Sequence, residues 1–399
     1  MRNYINIKTL IWIFGLLIFQ SCTEFEPVAP KDDEEFAGPI DGLNPAQLAQ
    51  RQRGDRAFAE VFSADNGLGP IFVSTSCISC HAVDGKGHPF TTLIRFGQTD
   101  SSGNNYLDKG GPQIQNRALP GFSPELIPQG AVSTKLTPPI NAGVGFLELV
   151  SDADIIAMSD PNDSNGDGIS GVPNYNSIPG YITPFPNAIP QGDKYICRFG
   201  KKGSTYNLLQ QTANAYNQDM GIASSFNPID VYSLLEIDPE VSIQTVNDVL
   251  FYLQTLKVPI QRNMNDAVVQ KGKQVFINAG CEGCHRQTLK TGYSPVEPLS
   301  NKEFHPYTDL LLHDMGQELD DGYTEGSAKT YEWRTPPLWG LGLAPNSQGG
   351  QYFLLHDGRA KSIEEAISLH GGEAAASRNL FNKLSISDRE ALIKFLKSL

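Results

Sequence analysis

Cysteine is too scarce and too clustered in these 399 residues to build a disulfide framework. Six occur, at Cys22, Cys77, Cys80, Cys197, Cys281 and Cys284, and four of them stand in two tight pairs. Basic residues are in deficit: 31 Lys and Arg against 44 Asp and Glu give a formal net charge of −13. Such a chain repels a phosphate backbone, which excludes nucleic acid as a partner and leaves room for a basic or neutral one. Long regular patterns are also few. With 38 Gly and 27 Pro the chain must contain many turns and irregular connections, although 40% apolar and 19% charged residues are those of a globular protein. A long apolar run is missing altogether; the one run, Leu10 to Phe19, is too short for a dependable bilayer span.

That run follows Arg2 and Lys8 and ends at Gln20-Ser21-Cys22, so residues 1–22 read as an export signal. They resemble a bacterial lipoprotein signal, with Cys22 lipidated as the first mature residue; simple secretion is the alternative. Residues 23–43, with Lys31-Asp32-Asp33-Glu34-Glu35, form an acidic tether that cannot pack a core. The tract resembles sorting signals of surface-displayed lipoproteins. The expected location is the periplasm or outer membrane, with membrane association through Cys22.

The two cysteine pairs are each followed by histidine: Cys77-x-x-Cys80-His81 and Cys281-x-x-Cys284-His285. In this spacing both thiols add across haem vinyl groups and the histidine turns beneath the iron as an axial ligand. A redox dithiol or half a zinc site needs only the bare pair, so the repeated histidine favours two covalently bound haem c groups. Cys197 is left over, either a small buried hydrophobe or a reactive thiol.

The chain is long enough for two domains. Phe72 and Phe276 each stand five residues before a first haem cysteine; TPPINAGVG starts at Thr137 and TPPLWGLG at Thr335; DVLFYLQTLKVP and EALIKFLKSL close the two halves. This order, used twice, predicts haem domains over 44–258 and 262–399, divided between Pro259 and Asn265. Asn44 to Phe62 reads as helix. So does Ser242 to Leu256, with Ile243, Val246, Val249, Leu250, Leu253 and Leu256 on one face. The expected fold is mainly α: two cytochrome c-like haem domains with long irregular loops.

With these residues in hand, the chain resembles the bacterial di-haem cytochrome c peroxidase superfamily, and within it the di-haem oxidoreductase branch, sometimes labelled thiol oxidoreductase. The similarity runs from about Asp65 to Leu399, on GLGPIFVSTSCISCHAVDGKG, SDPNDSNGDGISG, QDMG, LLHDMG, EWRTPPLWGLG and LLHDGRAKSIEEAISLHGGEA. The resemblance implies reduction of hydrogen peroxide with electrons from a small redox protein or other donor, at a catalytic N-terminal haem fed by a C-terminal one. A thiol reaction is not implied, since haem consumes both cysteine pairs. The peroxidase relatives also use a tryptophan between their haems, in the N-terminal domain. Trp12, Trp333 and Trp339 are the only tryptophans here, and none stands there.

The second axial ligands are less specified. Ser362 and Glu365 form a capping box, after which Ile363, Ala366, Ile367 and His370 share a helix face. His370 is therefore the expected distal ligand of the second haem, a core or propionate-side role being the alternative; the resemblance implies methionine at that place. His356, with Asp357 and Arg359, either organises propionates or caps a turn. His313, Met315 and Met220 read as core residues or ligands, and His88 as a local contact. Asp163, Asn165, Asp167 and the Ile169 carbonyl fit calcium-loop positions, but Asn174 replaces the closing glutamate, so an acidic turn is the alternative. Glu148, among apolar residues, is the expected proton-transfer group, against a plain salt-bridged glutamate. Electron transfer without peroxide chemistry, and oxidation of a protein side chain, remain as other functions.

Overall fold

The computed structural model describes Lys31, Phe36, residues 38–98 and residues 104–399. The expected export signal and Cys22 lie outside the described residues, as does most of the tether. No described helix is long and apolar enough to cross a membrane.

Helix α1 (Pro45–Ala59) starts at a reciprocal cap: Asn44 Oδ1 accepts from Gln47 N and the Gln47 side chain accepts from Asn44 N, both at 3.0 Å. It crosses α2 (Ile243–Gln254), where Val246, Val249, Leu253 and the following Leu256 are buried, as the sequence period predicts. Ile243, 50% exposed, is the member of that stripe left outside. The crossing is close because of Gly54: a Cβ there would overlap the Asp248 carbonyl and the Tyr252 side chain. Arg53 pairs with Asp248 at 2.8 Å, and Phe58 packs on Tyr252 with ring centroids 5.3 Å apart.

The second half repeats this construction. Helix α3 (Ala267–Asn278) meets α4 (Ile386–Ser398) at Gly272, which abuts the Ala391 carbonyl and Phe395, and Phe276 packs on Phe395 at 5.5 Å. After each Thr-Pro-Pro a glycine touches the end of the closing helix, Gly145 at the Gln254 carbonyl and Gly342 at the Lys397 carbonyl.

One pairing read from the sequence is corrected. Phe72 lies in a two-residue strand, Ile71–Phe72, paired with Arg117–Ala118. Phe58 is the counterpart of Phe276: their rings lie 6.3 Å from His81 and 6.4 Å from His285. An inserted strand segment separates the first helix from its cysteines, so counting back from Cys77 reaches the wrong phenylalanine.

Between the helix pairs stand short helices, and the strands of the described residues pair only as two-stranded antiparallel ribbons, such as Leu93–Gly97 with Val132–Leu136 and Asn174–Ser177 with Lys194–Cys197. The protein is mainly α with long irregular connections. Cys197 is 2% exposed, packs with Ile182 and Tyr206, and burial pushes its thiol up to about 12, consistent with a small hydrophobe. The two halves are interleaved. Thr137 donates to the His356 carbonyl through N at 2.8 Å and Oγ1 at 3.0 Å, and Gln348 Nε2 donates to the Gly87 carbonyl at 2.8 Å.

Candidate functional site

Each Cys-x-x-Cys-His forms one tight turn, closed by a bond from the histidine N–H to the first cysteine's carbonyl at 3.0 Å: His81 to Cys77 and His285 to Cys281. The turn sets each imidazole against the helix crossing. Burial pushes His285 down to about 4, so the ring is neutral. Its Nδ1 lies 3.0 Å from the Tyr307 carbonyl, which can only accept, so Nδ1 carries the proton and Nε2 keeps a lone pair. His370 is built the same way. Ser362 Oγ caps the Ile363–Ser368 helix, and beyond its end His370 Nδ1 lies 2.7 Å from the Ala366 carbonyl, while burial lowers the ring's pKa. Both histidines line one cavity of about 290 Å³ together with Cys281 and Cys284, and its walls include Phe276, Leu338, Ile363, Ala366, Ile367 and Phe381.

His81 is half-buried, and desolvation holds its pKa down at about 4. Its Nδ1 has no hydrogen-bond partner; the Pro139 backbone is near enough to oppose the shift without meeting bonding geometry. Burial, aided by Asp219 and Cys80, pushes the Cys77 thiol up to about 12, and burial pushes Cys281 up to about 12. High-pKa thiols in apolar surroundings are poor redox dithiols, which act as thiolates. The donors and the apolar cavity fit haem: two thiols, a neutral imidazole and greasy walls at the second site, and the same triad at the first.

The sequence did not single out Asp309 and Glu373. His313 Nε2 lies 2.8 Å from Asp309 and Nδ1 lies 2.7 Å from Glu373 and 3.5 Å from Cys284 Sγ. Burial lowers the ring's pKa, but Asp309 and the hydrogen bonds outweigh it, so His313 is raised well above the ordinary range. It is a buried imidazolium clamped between carboxylates. Cys284, Asp309 and His313 are also the only three described His, Cys, Asp or Glu groups close enough together to hold a metal ion.

Other expected residues are placed differently. Glu148 is 5% exposed and burial raises its pKa, but Oε1 accepts from Leu208 N and Oε2 from Gln254 Nε2, both at 2.7 Å. Val144 and Leu147 of its helix line the cavity and Glu148 does not. Its carboxylate is thus engaged by the start of the Leu208–Asn214 helix and by Gln254. Arg359 bonds Asp357 and the Glu318 carbonyl at the surface, away from the cavity, whereas His356 lines it. His88 Nδ1 accepts from Phe90 N in a local turn. Met220 is core, Met315 lines the cavity, and His305 meets Thr288 near the surface. In the 163–169 loop, Asp163 accepts from Gly168 N and Asp167 from Ile169 N, which is the geometry of Asx turns. Asn174 points its side chain to Lys202, Glu325 and Ser327. It is therefore no twelfth-position ligand. Ile169 packs against Gly283 instead, and so ties the loop to the second haem motif.

A family model described as "Di-haem oxidoreductase, putative peroxidase" matches residues 131–399, a span that holds the second Cys-x-x-Cys-His and starts after the first. Among solved structures, the chain is similar to hydrazine synthase from Kuenenia stuttgartiensis at 14% identity and a TM-score of 0.41, covering 95% of this chain and 97% of that one. It is also similar to the diheme peroxidase BthA from Burkholderia thailandensis at 14% identity and a TM-score of 0.42, covering 90% and 86%. At these scores neither likeness decides the fold or the reaction. No curated protein matches.

Proposed function

Since this chain belongs to the di-haem oxidoreductase family, we propose that it holds two covalent haems c and reduces hydrogen peroxide with electrons from an external donor. Cys77, Cys80 and His81 hold the first haem; Cys281, Cys284, His285 and His370 hold the second. When bound, haem supplies one-electron redox chemistry and, where a ligand position is open, a place for a small oxidant. The overall reaction takes up two electrons and two protons and releases two waters from each peroxide.

The observation that carries this reading is the contrast between the two histidine environments. At the second site His285 and His370 both offer a bare Nε2 to one cavity, each fixed by a backbone carbonyl that orients the ring and sets its tautomer. Two such donors suit electron transfer, because together they would leave a bound iron no position for an oxidant. At the first site His81 has no partner built in this way, which suits a reactive centre. The apolar residues Val144, Leu147 and Ile140 exclude water from the cavity wall. We assign the chain to export as a lipoprotein on residues 1–22, with a small redox protein as donor.

The test is a spectrum of the full chain made in cells that attach haem c, taken oxidised, half-reduced and reduced, with peroxide added to each. Two haems retained after denaturation, and a half-reduced form that consumes peroxide, are expected. Two haems with no peroxide reaction at any redox level would leave an electron-transfer cytochrome.

A further inference from the structure

A chain with a formal net charge of −13 lines its central cavity with five basic residues, Lys86, Arg198, Lys201, Arg334 and Arg378, and no Asp or Glu. Arg198 has its own buried partner, Asp152. Lys201 Nζ has no hydrogen-bonding or ion-pairing partner among the described residues, and Lys86 Nζ reaches only the Leu355 carbonyl, at 3.5 Å. Arg334 spends two nitrogens on the carbonyls of Gly200 and Thr335, at 3.1 and 3.0 Å. The three are neighbours by construction. Arg334 N donates to the Lys201 carbonyl at 3.0 Å, and Lys86 and Arg334 each add to the burial that drives the Lys201 pKa well down. Trp339 adds a further donor on this cavity: it is 3% exposed and its Nε1 has no acceptor.

Asp357 acts on Lys86 and Lys201 but its carboxylate is bonded to Arg359, and Asp309 acts on Arg334 while bonded to His313. The three cations thus face carboxylates at a distance and bond none. Cations so placed are costly, and an unpaired buried donor adds to that cost. The pattern asks for an occupant that is apolar over most of its surface and carries carboxylates at one edge. On the reading that haem fills this cavity, we propose that Lys86, Lys201 and Arg334 form a carboxylate cradle that takes the haem propionates between the two iron sites. Lys86 follows His81 by five positions and the charge of Lys201 acts on His81, so these two lysines stand at the side of the cavity toward the first motif, whose own Cys77, Cys80 and His81 do not line it. Arg334 acts on Asp309, beside the second. The cradle replaces the sequence assignment to Arg359, which lies outside.

The experiment uses the full chain with both haems, comparing wild type with Lys86→Met, Lys201→Met, Lys201→Arg and, as an outside control, Arg359→Met. Resonance Raman reads the propionate bending bands, and a redox titration at several pH values reads each haem's midpoint potential. Both haems should stay attached throughout. The bands should shift in Lys86→Met and Lys201→Met, and one potential should become pH-dependent near neutrality because its propionate is no longer held ionised. Lys201→Arg should restore both readouts. Unchanged bands and potentials, or equal shifts in Arg359→Met, overturn the cradle. If the bands stay put while millimolar acetate perturbs the wild-type spectrum and not that of Lys201→Met, the site takes a free carboxylate and the propionate assignment falls. A wild-type chain with fewer than two covalent haems overturns the haem reading, and the cradle with it.

Discussion

His356 lies flat on Trp333, with ring centroids 3.8 Å apart and planes 8° from parallel, and the Lys202 ammonium also stands 3.8 Å from a Trp333 ring centroid. Trp333 Nε1 is fixed by the Leu319 carbonyl at 2.8 Å, and Lys202 Nζ by the carbonyls of Lys329, Thr330 and Glu332. The stack thus ties the ribbon Glu332–Arg334, paired with Leu312–Asp314, to the segment whose His356 carbonyl holds Thr137. Trp333→Leu should lower the unfolding free energy by about 2–4 kcal/mol, somewhat less than truncating a buried aromatic to alanine. Trp333→Phe, which keeps a ring but loses the indole bond, should cost about 1 kcal/mol. Urea denaturation would check both; equal midpoints for wild type and Trp333→Leu would deny the stack any structural role.

His370→Ala should leave the second haem attached but convert it from a low-spin to a high-spin spectrum, because one of two fixed Nε2 donors is gone. His370→Met should restore a low-spin form with a higher midpoint potential, since thioether ligation favours the reduced iron. Absorption spectra and a redox titration measure this. A low-spin spectrum in His370→Ala identical to wild type would take His370 out of the ligand set.

Glu148 offers a test of burial against chemistry. Glu148→Gln keeps an acceptor for Leu208 N but sets an amide against the Gln254 amide, so it should cost about 1–3 kcal/mol of stability. The peroxide step should be unaffected. A large fall in the rate of that step, with stability unchanged, would return Glu148 to the mechanism.

The part of the site legible in sequence was the part encoded by local spacing. Cys-x-x-Cys-His, the Ser362 cap and the phase of His370 are all short-range patterns, and so are the helix starts read at Asn44 and Ser242, which the structure shows to be capping residues. Gly54 and Gly272 were not singled out, because a close helix crossing leaves only a single small residue in the chain. Asp309 and Glu373 lie 4 and 60 positions from His313, and Lys86 and Arg334 are brought to Lys201 by the tertiary fold alone. A charged cluster assembled from three distant segments leaves no periodicity to read. At Glu148 the apolar neighbours signalled the burial, but burial alone does not say what a carboxylate meets, and its partners Leu208 and Gln254 come from distant segments.

Glu325 gives the chain an acid-sensitive lock. Burial pushes its pKa up, but Arg95 at 2.6 Å and hydrogen bonds from Ser204 and Tyr323 outweigh this and hold it below the ordinary 4.5. With the folded pKa depressed, the contribution is present above about pH 4.5 and is lost as pH falls through the folded value. Glu325→Gln should cost about 3 kcal/mol at neutral pH, the low end for breaking a buried pair, because Arg95 loses its ion-pair partner but keeps Gln218 and the nearby Asp219. It should also flatten the acid limb of the stability profile. Denaturation midpoints from pH 3 to 7 would show this, and parallel profiles for the two proteins would remove Glu325 as the source.

The bond from Thr137 to the His356 carbonyl spans 219 positions. At a synthesis rate of about 5–20 residues per second, roughly 10–40 s separate the appearance of its two ends. During that interval Cys77, Cys80 and His81 are already made while the wall that His356 contributes is still missing. The surroundings of Cys77, Cys80 and His81 that depend on this bond are therefore completed only once the last third of the chain has been made.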